Sequence, residues 1–366
     1  MIRRFGIRNF KAHRDTELEL GRLTLLVGDN ASGKTSVLEA LELQADVVHD
    51  PAGFAVRAAS LRDLQRRGPG EPIVLRSEID PTSNGAGVER LHTTMALRAP
   101  SETEDRSRDS LVTLTGRRGE AAIDESPVHP PGRLDWNFVA PVFGTARLYR
   151  LRAEAIAAAA YSDLPEVRID VDGTNTAVAL ATMKLADDEA FQRVEHGLRE
   201  IVASVKRVRI HRAKVPHAPE QPVIGSKLYF DFRGAPGVPA NGASHGTLIV
   251  LALLTILHSV RRPNLLLLDD FDHALHPRAQ MELVRMLKRL LALDDFRDVQ
   301  IVATTHSPYV LDQLDASDIY AFALRDDGTI GSKRLSEHPD AENARGSLKA
   351  GQLWSLDPER DWVLKG

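Results

Sequence analysis

The chain has 366 residues, 43% of them hydrophobic, enough to bury a sizeable core as one large domain or two small ones. Its 47 basic and 51 acidic side chains leave a net charge of −4, so no global field attracts nucleic acid, and any such partner must be met by a local patch. With no cysteine, disulfides, thiol nucleophiles and cysteine-ligated zinc are excluded together, which fits a reducing cytoplasm.

The start, "MIRRFGIRNF", is basic but lacks the apolar stretch that a signal peptide needs next. The longest apolar run, "LIVLALLTIL" at 248–257, is about half the ~20 residues that span a bilayer, so it reads as a buried helix of a protein with no membrane contact. In chain order, "RRFGIRNF" and "TELELG" alternate as strands, and "RLTLLVG" is a buried strand. In "KTSVLEALELQADVV", Val37, Leu38, Leu41, Ala45 and Val48 share one helix face. From 72 to 125, short alternating runs separated by turn-rich pieces ("PTSNGAG", "SETEDRSRD") predict an antiparallel meander, followed by a loop at 126–133. Residues 145–205 read as mostly helical, with "ARLYRLRAEAIAAAAY" and "DDEAFQRVEHGLREIVASV" as the clearest stretches. Proline-rich 215–222 precedes the strand "SKLYFDF". After 245 the order helix, strand, helix, strand, helix, strand calls for a parallel sheet covered by helices, an α/β fold.

The most specific motif is "GDNASGKT", Gly28 to Thr35, which matches G-x-x-x-x-G-K-[ST] with a strand before it and a helix after it. Glycines let such a loop curl so that backbone N–H groups and the helix N-terminus face a phosphate. Gly28, Asn30, Gly33, Lys34, Thr35 and Ser36 are the candidate cradle for ATP. Lys34 would bridge the β- and γ-phosphates, and the Thr35 hydroxyl would bind Mg²⁺.

Given that loop, "NLLLLDDFDHALHP" at 264–277 has a chemical reading. A nucleoside triphosphatase needs a carboxylate at the end of a buried strand to hold Mg²⁺, and Asp269 fits. Asp270 then stands where the attacking water is polarised. The bland alternative is that Asp270 and Asp272 cap the helix opened by Pro277. In "GASHGTLIVLALL", Ser244 and Gly246 precede a helix starting near Thr247, whose N-terminus is a second anion site. In "IVATTHSPYVL", His306 follows a buried strand, where a histidine could touch the γ-phosphate and sense its loss.

This order of P-loop, Ser-x-Gly helix, strand-Asp-Asp and strand-His resembles the ABC/SMC-like P-loop ATPases. Within them it is similar to the stand-alone bacterial ATPases related to the overcoming-lysogenization-defect and RecF proteins. The resemblance implies an ABC/SMC head with a mixed, largely parallel sheet, divided into an N-terminal ATPase lobe (1–144), a helical lid or arm (145–222) and a C-terminal lobe (223–366). It implies a homodimer or higher oligomer of heads, in which ATP is shared between the P-loop of one copy and Ser244 and Gly246 of the other. It also implies an antiphage-defence role, in which the ATPase senses infection and controls a separate nuclease or toxin. The alternative is a RecF-like repair ATPase that clamps DNA.

Departures refine the expectation. Only sixty residues follow His306, "ALRDDGTIG" offers Asp326 and Asp327 without a partner glutamate, and no Toprim nuclease is expected in this chain. An effector could dock on the tail "GQLWSLDPERDWVLKG" through Trp354 and Trp362, unless these pack on their own domain. Most relatives carry glutamate at the place of Asp270. Aspartate is shorter by one C–C bond, on the order of 1.5 Å, and a misplacement of about 1 Å can cost ~10²-fold in rate, so slow turnover is expected. Gln44 and Gln65 are the two candidates for a nucleotide-sensing glutamine.

Nucleic acid would be met by "VKRVRIHRAK", where Lys206, Arg207, Arg209, Arg212 and Lys214 crowd a strand with Val208 and Ile210 inward and Arg207, Arg209 and His211 outward. A third class, a metal-dependent hydrolase using Asp269, Asp270, Asp272, His273, His276 and His306, would leave the P-loop unexplained.

Overall fold

The computed structural model describes residues 1–49, 64–66, 71–80, 91–97, 112–118, 121–127, 140–143, 145–215, 222–344 and 346–365. The turn-rich pieces at 81–87 and 101–109 lie outside these residues, as does most of the loop expected at 126–133. Ser126 and Pro127, at the start of that loop, instead end a strand.

The chain opens with a hairpin of β1 (Ile2–Phe10) and β2 (His13–Glu19), in which Phe10 pairs with His13 across a tight turn. Strand β3 (Leu23–Gly28) is buried at every position, as expected for a strand covered on both faces. Helix α1 (Lys34–His49) buries Val37, Leu38, Leu41, Ala45 and Val48, as its periodicity predicted. Strands β4 (Ile73–Ile79), β5 (Leu91–Leu97), β6 (Val112–Arg118) and β7 (Ala121–Pro127) form the predicted meander. Next come β8 (Arg147–Tyr149) and the helices α2 (Ala153–Ala157), α3 (Thr176–Ala186) and α4 (Asp188–Ile201). Strands β9 (Val205–Val215), β10 (Val223–Phe232) and β11 (Ala235–Pro239) lead to α5 (His245–His258) and β12 (Leu265–Leu268). The chain continues as α6 (Pro277–Leu291), β13 (Gln300–Thr304), α7 (Pro308–Leu311), β14 (Ile319–Leu324) and β15 (Ile330–Arg334), then α8 (Ala350–Trp354) and α9 (Glu359–Val363).

Two expectations need correction. The stretch 146–161 is not one helix, because Tyr149 is buried in a strand and its carbonyl accepts the Asp269 N–H at 3.0 Å. A long-range pairing there overrides helix propensity. Helix α5 begins at His245, two residues before Thr247, because Ser244 supplies its N-cap.

The chain divides into two compact units, residues 1–146, 264–267 and 294–366 in the first, and 147–263 with 268–293 in the second. The first break falls two residues after the expected 144/145 boundary, while the β9–β10 pairing spans the expected boundary at 222/223.

In the first unit, one sheet runs β2-β1-β4-β5-β6-β7, and in another β3 lies between β13 and β14, parallel to both. Strand β15 adds antiparallel to β14. Leu25, Leu26, Val27, Val302 and Phe322 are fully buried in this core. The tail packs back on its own unit. Trp362 is buried edge-on to His338, with ring centroids 4.9 Å apart, and the Trp354 Nε1–H donates to Glu359 at 2.7 Å. A tail offering both tryptophans to an effector is therefore corrected.

In the second unit, α5 is buried from Gly246 to Leu257, the signature of a core helix rather than a surface one. Helix α4 is amphipathic and turns Phe191, Val194, Leu198 and Ile201 inward, each contributing about 1.5–3 kcal/mol by burial. The sheet β11-β10-β9 completes this unit.

Candidate functional site

In the first unit the candidate residues gather at the end of β3. Three residues of the loop take left-handed backbone: Gly28 (φ 135°), Ala31 (φ 62°) and Gly33 (φ 94°). A side chain at Gly28 would lie 2.2 Å from the Phe322 carbonyl oxygen, so strand packing as well as φ demands glycine there. These turns lead the loop into the first turn of α1, where the Val37 N–H donates to the Gly33 carbonyl at 3.2 Å. Lys34 is buried, and its ammonium donates to the carbonyls of Gly28 (2.8 Å) and Asp29 (2.7 Å). Asn30 is exposed at the loop tip, and Thr35 and Ser36 are half-buried in the first turn of α1.

Beneath the loop lies a residue that sequence reasoning missed. His13 is fully buried, with Nε2 3.0 Å from the Gly33 carbonyl and Nδ1 2.9 Å from the Thr16 hydroxyl. The geometry assigns Nε2–H as donor to Gly33 and Nδ1 as acceptor from Thr16. Burial lowers the His13 pKa to about 4, with the Gly33 carbonyl opposing and Lys11 assisting. The imidazole is neutral at physiological pH. It gives no local signal in "KAHRD", because its partner lies twenty residues away.

His306 leaves the end of β13, which pairs with β3 in the register Leu26 to Thr304. Parallel pairing therefore brings the P-loop and His306 out at the same end of neighbouring strands. His306 is exposed, and the Ser307 N–H after it donates to the Thr305 hydroxyl at 3.0 Å. Of the glutamine candidates, Gln44 is buried in α1 and bonds Ser77 (2.8 Å) and Thr93 (3.3 Å) in the core. Gln65 bridges to Phe10.

In the second unit a separate group assembles. Ser244 caps α5, its Oγ accepting from the Thr247 N–H at 3.2 Å. Gly246 has a tertiary reason to be glycine: a Cβ would lie 2.8 Å from Leu275 Cδ2 and 2.9 Å from the Ala274 carbonyl oxygen. The Ser-x-Gly turn and the segment after the paired aspartates thus pack directly together. Asp269 is held by Arg150, whose Nε lies 3.2 Å from its Oδ2. Arg150 is a second missed residue, hidden in a stretch read as helix. Asp270 has φ 46°, unusual for a non-glycine residue, and its carbonyl accepts the His273 N–H at 3.3 Å. The cap of α6 is His276, followed by Pro277, so Asp270 and Asp272 do not serve as helix caps. A hollow of about 350 Å³ opens at the α5 N-terminus, lined among others by Glu154, Lys227, Asn241 and His245.

Among the described residues, no three of His, Cys, Asp or Glu are grouped to hold a metal ion. The side chains proposed for the metal-hydrolase alternative are therefore not brought together as one such group. Among the same residues, no helix is long and apolar enough to cross a membrane. On β9, Lys206, Arg207, Arg209, Arg212 and Lys214 are all exposed, but alternation places Arg212 and Lys214 on the opposite face from Arg207 and Arg209.

A family model described as an AAA domain, putative AbiEii toxin, Type IV TA system, matches residues 23–312. The chain is 44% identical over 43 residues to the OLD nuclease of Thermus scotoductus, covering 12% of this chain and 8% of that protein. It is 30% identical over 71 residues to the Septu protein PtuA of Bacillus thuringiensis (19% and 17% covered). It is 41% identical over 68 residues to Structural maintenance of chromosomes protein 6 of Saccharomyces cerevisiae (18% and 6%). The chain thus spans less than a fifth of each of these relatives. Among solved structures, an Smc head bound to the C-winged helix domain of ScpA superposes with a TM-score of 0.61 at 12% identity, over 92% of this chain and 99% of that one. The Smc head of Pyrococcus furiosus with an extended coiled coil, bound to the ScpA C-terminal domain, gives 0.56 at 13% identity, over 94% and 99%. The fold is that of an SMC head domain.

Proposed function

The chain belongs to the family of AAA domains described as putative AbiEii toxin, Type IV TA system, and on that premise we propose that it binds and hydrolyses ATP as a dimerisation switch. The cellular role we propose is that of the ATPase or sensor subunit of an antiphage-defence complex, controlling a separate nuclease or toxin. The carrying observation is the loop from Gly28 to Lys34, whose left-handed residues curl it over the start of α1. Its buried ammonium now satisfies the Gly28 and Asp29 carbonyls, interactions it can trade for phosphate oxygens.

The residue types proposed for the site suit ATP and Mg²⁺. Gly28, Asn30, Gly33, Lys34, Thr35 and Ser36 would hold the phosphates, Thr35 and Asp269 would hold the metal, and Ser244 and Gly246 would offer a second anion site to a partner copy's nucleotide. Bound Mg²⁺ would neutralise charge that builds on the phosphates. Asp270 would polarise the attacking water, and its left-handed backbone supports this role, since strain of ~1–3 kcal/mol concentrates at functional positions. His306, exposed beyond β13, would sense the terminal phosphate. Arg150, which now pairs with the Asp269 carboxylate, would have to yield it to the metal.

The test is steady-state ATP turnover by the purified protein beside Lys34→Ala and Asp270→Ala. Turnover is expected below roughly ten per second, a typical enzyme median, and lost in both variants. Turnover that survives Lys34→Ala refutes the reading, and faster turnover refutes the slow switch. The effector role is tested by co-purification of a partner, with retention dependent on ATP.

A further inference from the structure

The sheet β11-β10-β9 buries Val208, Leu228 and Phe230 on one face. Alternation then puts Arg207, Arg209 and His211 of β9, and Lys227, Tyr229 and Asp231 of β10, on the other. The register sets them directly opposite: Arg207 to Asp231, Arg209 to Tyr229, His211 to Lys227. The His211 and Tyr229 rings lie 4.7 Å apart, and the Lys227 ammonium is 5.8 Å from the Tyr229 ring centroid. Asp231 is the one acid that the three strands place on this face. It is already engaged by Arg209 at 2.6 Å and by the Gly237 N–H at 2.9 Å.

Three cations, one neutralised acid on the strands and an aromatic pair in their midst, with Glu154 sharing a hollow with Lys227 as a further acid beside it, favour a ligand that is anionic along its length and aromatic at intervals. An acidic peptide would use the cations but leave the rings idle. Three strands about 4.8 Å apart make a face roughly 10 Å across, suited to one strand rather than two. We propose that this face binds single-stranded nucleic acid, with Arg207 and Lys227 on phosphates and the His211–Tyr229 pair as a stacking platform for a base. The surface lies within one unit and owes nothing to the P-loop reading.

The experiment is fluorescence anisotropy of a dye-labelled oligothymidylate without ATP, across a salt series, on the full chain. Each phosphate contact on a single strand adds about 0.7 to the slope of log affinity against log salt. Replacing both cations (Arg207→Gln with Lys227→Gln) should therefore flatten the slope by about 1.4. Tyr229→Ala should weaken binding at least about fivefold with the slope retained, while Tyr229→Phe keeps the affinity. The proposal is overturned by no binding, by a slope unchanged in the double variant, by duplex binding as well as the single strand, or by polyglutamate competing with no dependence on Tyr229. The same titration on Lys34→Ala separates the two readings. A chain without ATPase activity should still bind, and loss of ATPase leaves this surface intact.

Discussion

His13 offers the sharpest test of how the P-loop is supported. Its pKa is lowered from 6.5 to about 4 by burial beneath the loop. In the unfolded chain it takes a proton as pH falls through 6.5, whereas in the fold it resists until about 4. Its effect on stability is therefore neutral above pH 6.5 and grows unfavourable between 6.5 and 4. From pH 7.5 to 5, that difference amounts to about 2 kcal/mol lost by the native protein. His258, also lowered to about 4 by burial, adds a background slope in the same direction. The informative quantity is thus the difference between native protein and His13→Gln, which keeps a donor near Gly33 but does not titrate. Urea unfolding followed by tryptophan fluorescence suits the purpose, since Trp354 and Trp362 lie in the same unit as His13. His13→Gln should lose about 2 kcal/mol less than the native protein on acidification. His13→Ala should cost about 2–4 kcal/mol at pH 7.5, because it leaves a cavity, unpairs the Thr16 hydroxyl and strips the Gly33 carbonyl of one of its two hydrogen bonds, leaving only the Val37 N–H. It should also weaken ATP binding, with Gln restoring part of the affinity. Identical pH losses in native protein and Gln variant would refute the buried neutral imidazole.

Asp270→Gly should relieve the left-handed backbone and raise stability by up to about 1 kcal/mol while abolishing turnover; equal or lower stability in denaturation would argue against strain at this residue. Asp270→Glu should speed turnover, by up to about 10²-fold, if carboxylate reach limits the rate. Gly246→Ala should push Leu275 and the Ala274 carbonyl away, costing about 1–3 kcal/mol and lowering turnover; a neutral effect would mean that the segment yields freely. Arg150→Ala removes a half-exposed partner of Asp269, so stability should change by less than about 1 kcal/mol. The Mg²⁺ needed for half-maximal binding of a fluorescent ATP analogue should fall as the carboxylate is released, and an unchanged Mg²⁺ requirement would show that Arg150 does not compete there.

Much of this was legible in one dimension because the relevant signals are local. Glycine spacing, an unbroken apolar strand and a helical period mark β3, its loop and α1 within about thirty residues. Leu265–Leu268 followed by Asp269 and Asp270 declares a buried strand with carboxylates at its end in the same way. Ser244 is recognisable as an N-cap because capping is decided by neighbours three residues apart. Other features depend on partners far along the chain. Arg147–Tyr149 has helical composition, yet Tyr149 pairs with Asp269 and the segment becomes a strand. His13 looks like an ordinary turn residue until the fold sets Gly33 above it. Trp362 looks like an interface residue until His338 covers it. The chain alone determined where the candidate loop, strand ends and helix cap fall, since short-range backbone preferences and residue types dictate them. The tertiary structure decided which side chains surround them, because burial and long-range hydrogen bonds arise only when distant segments meet.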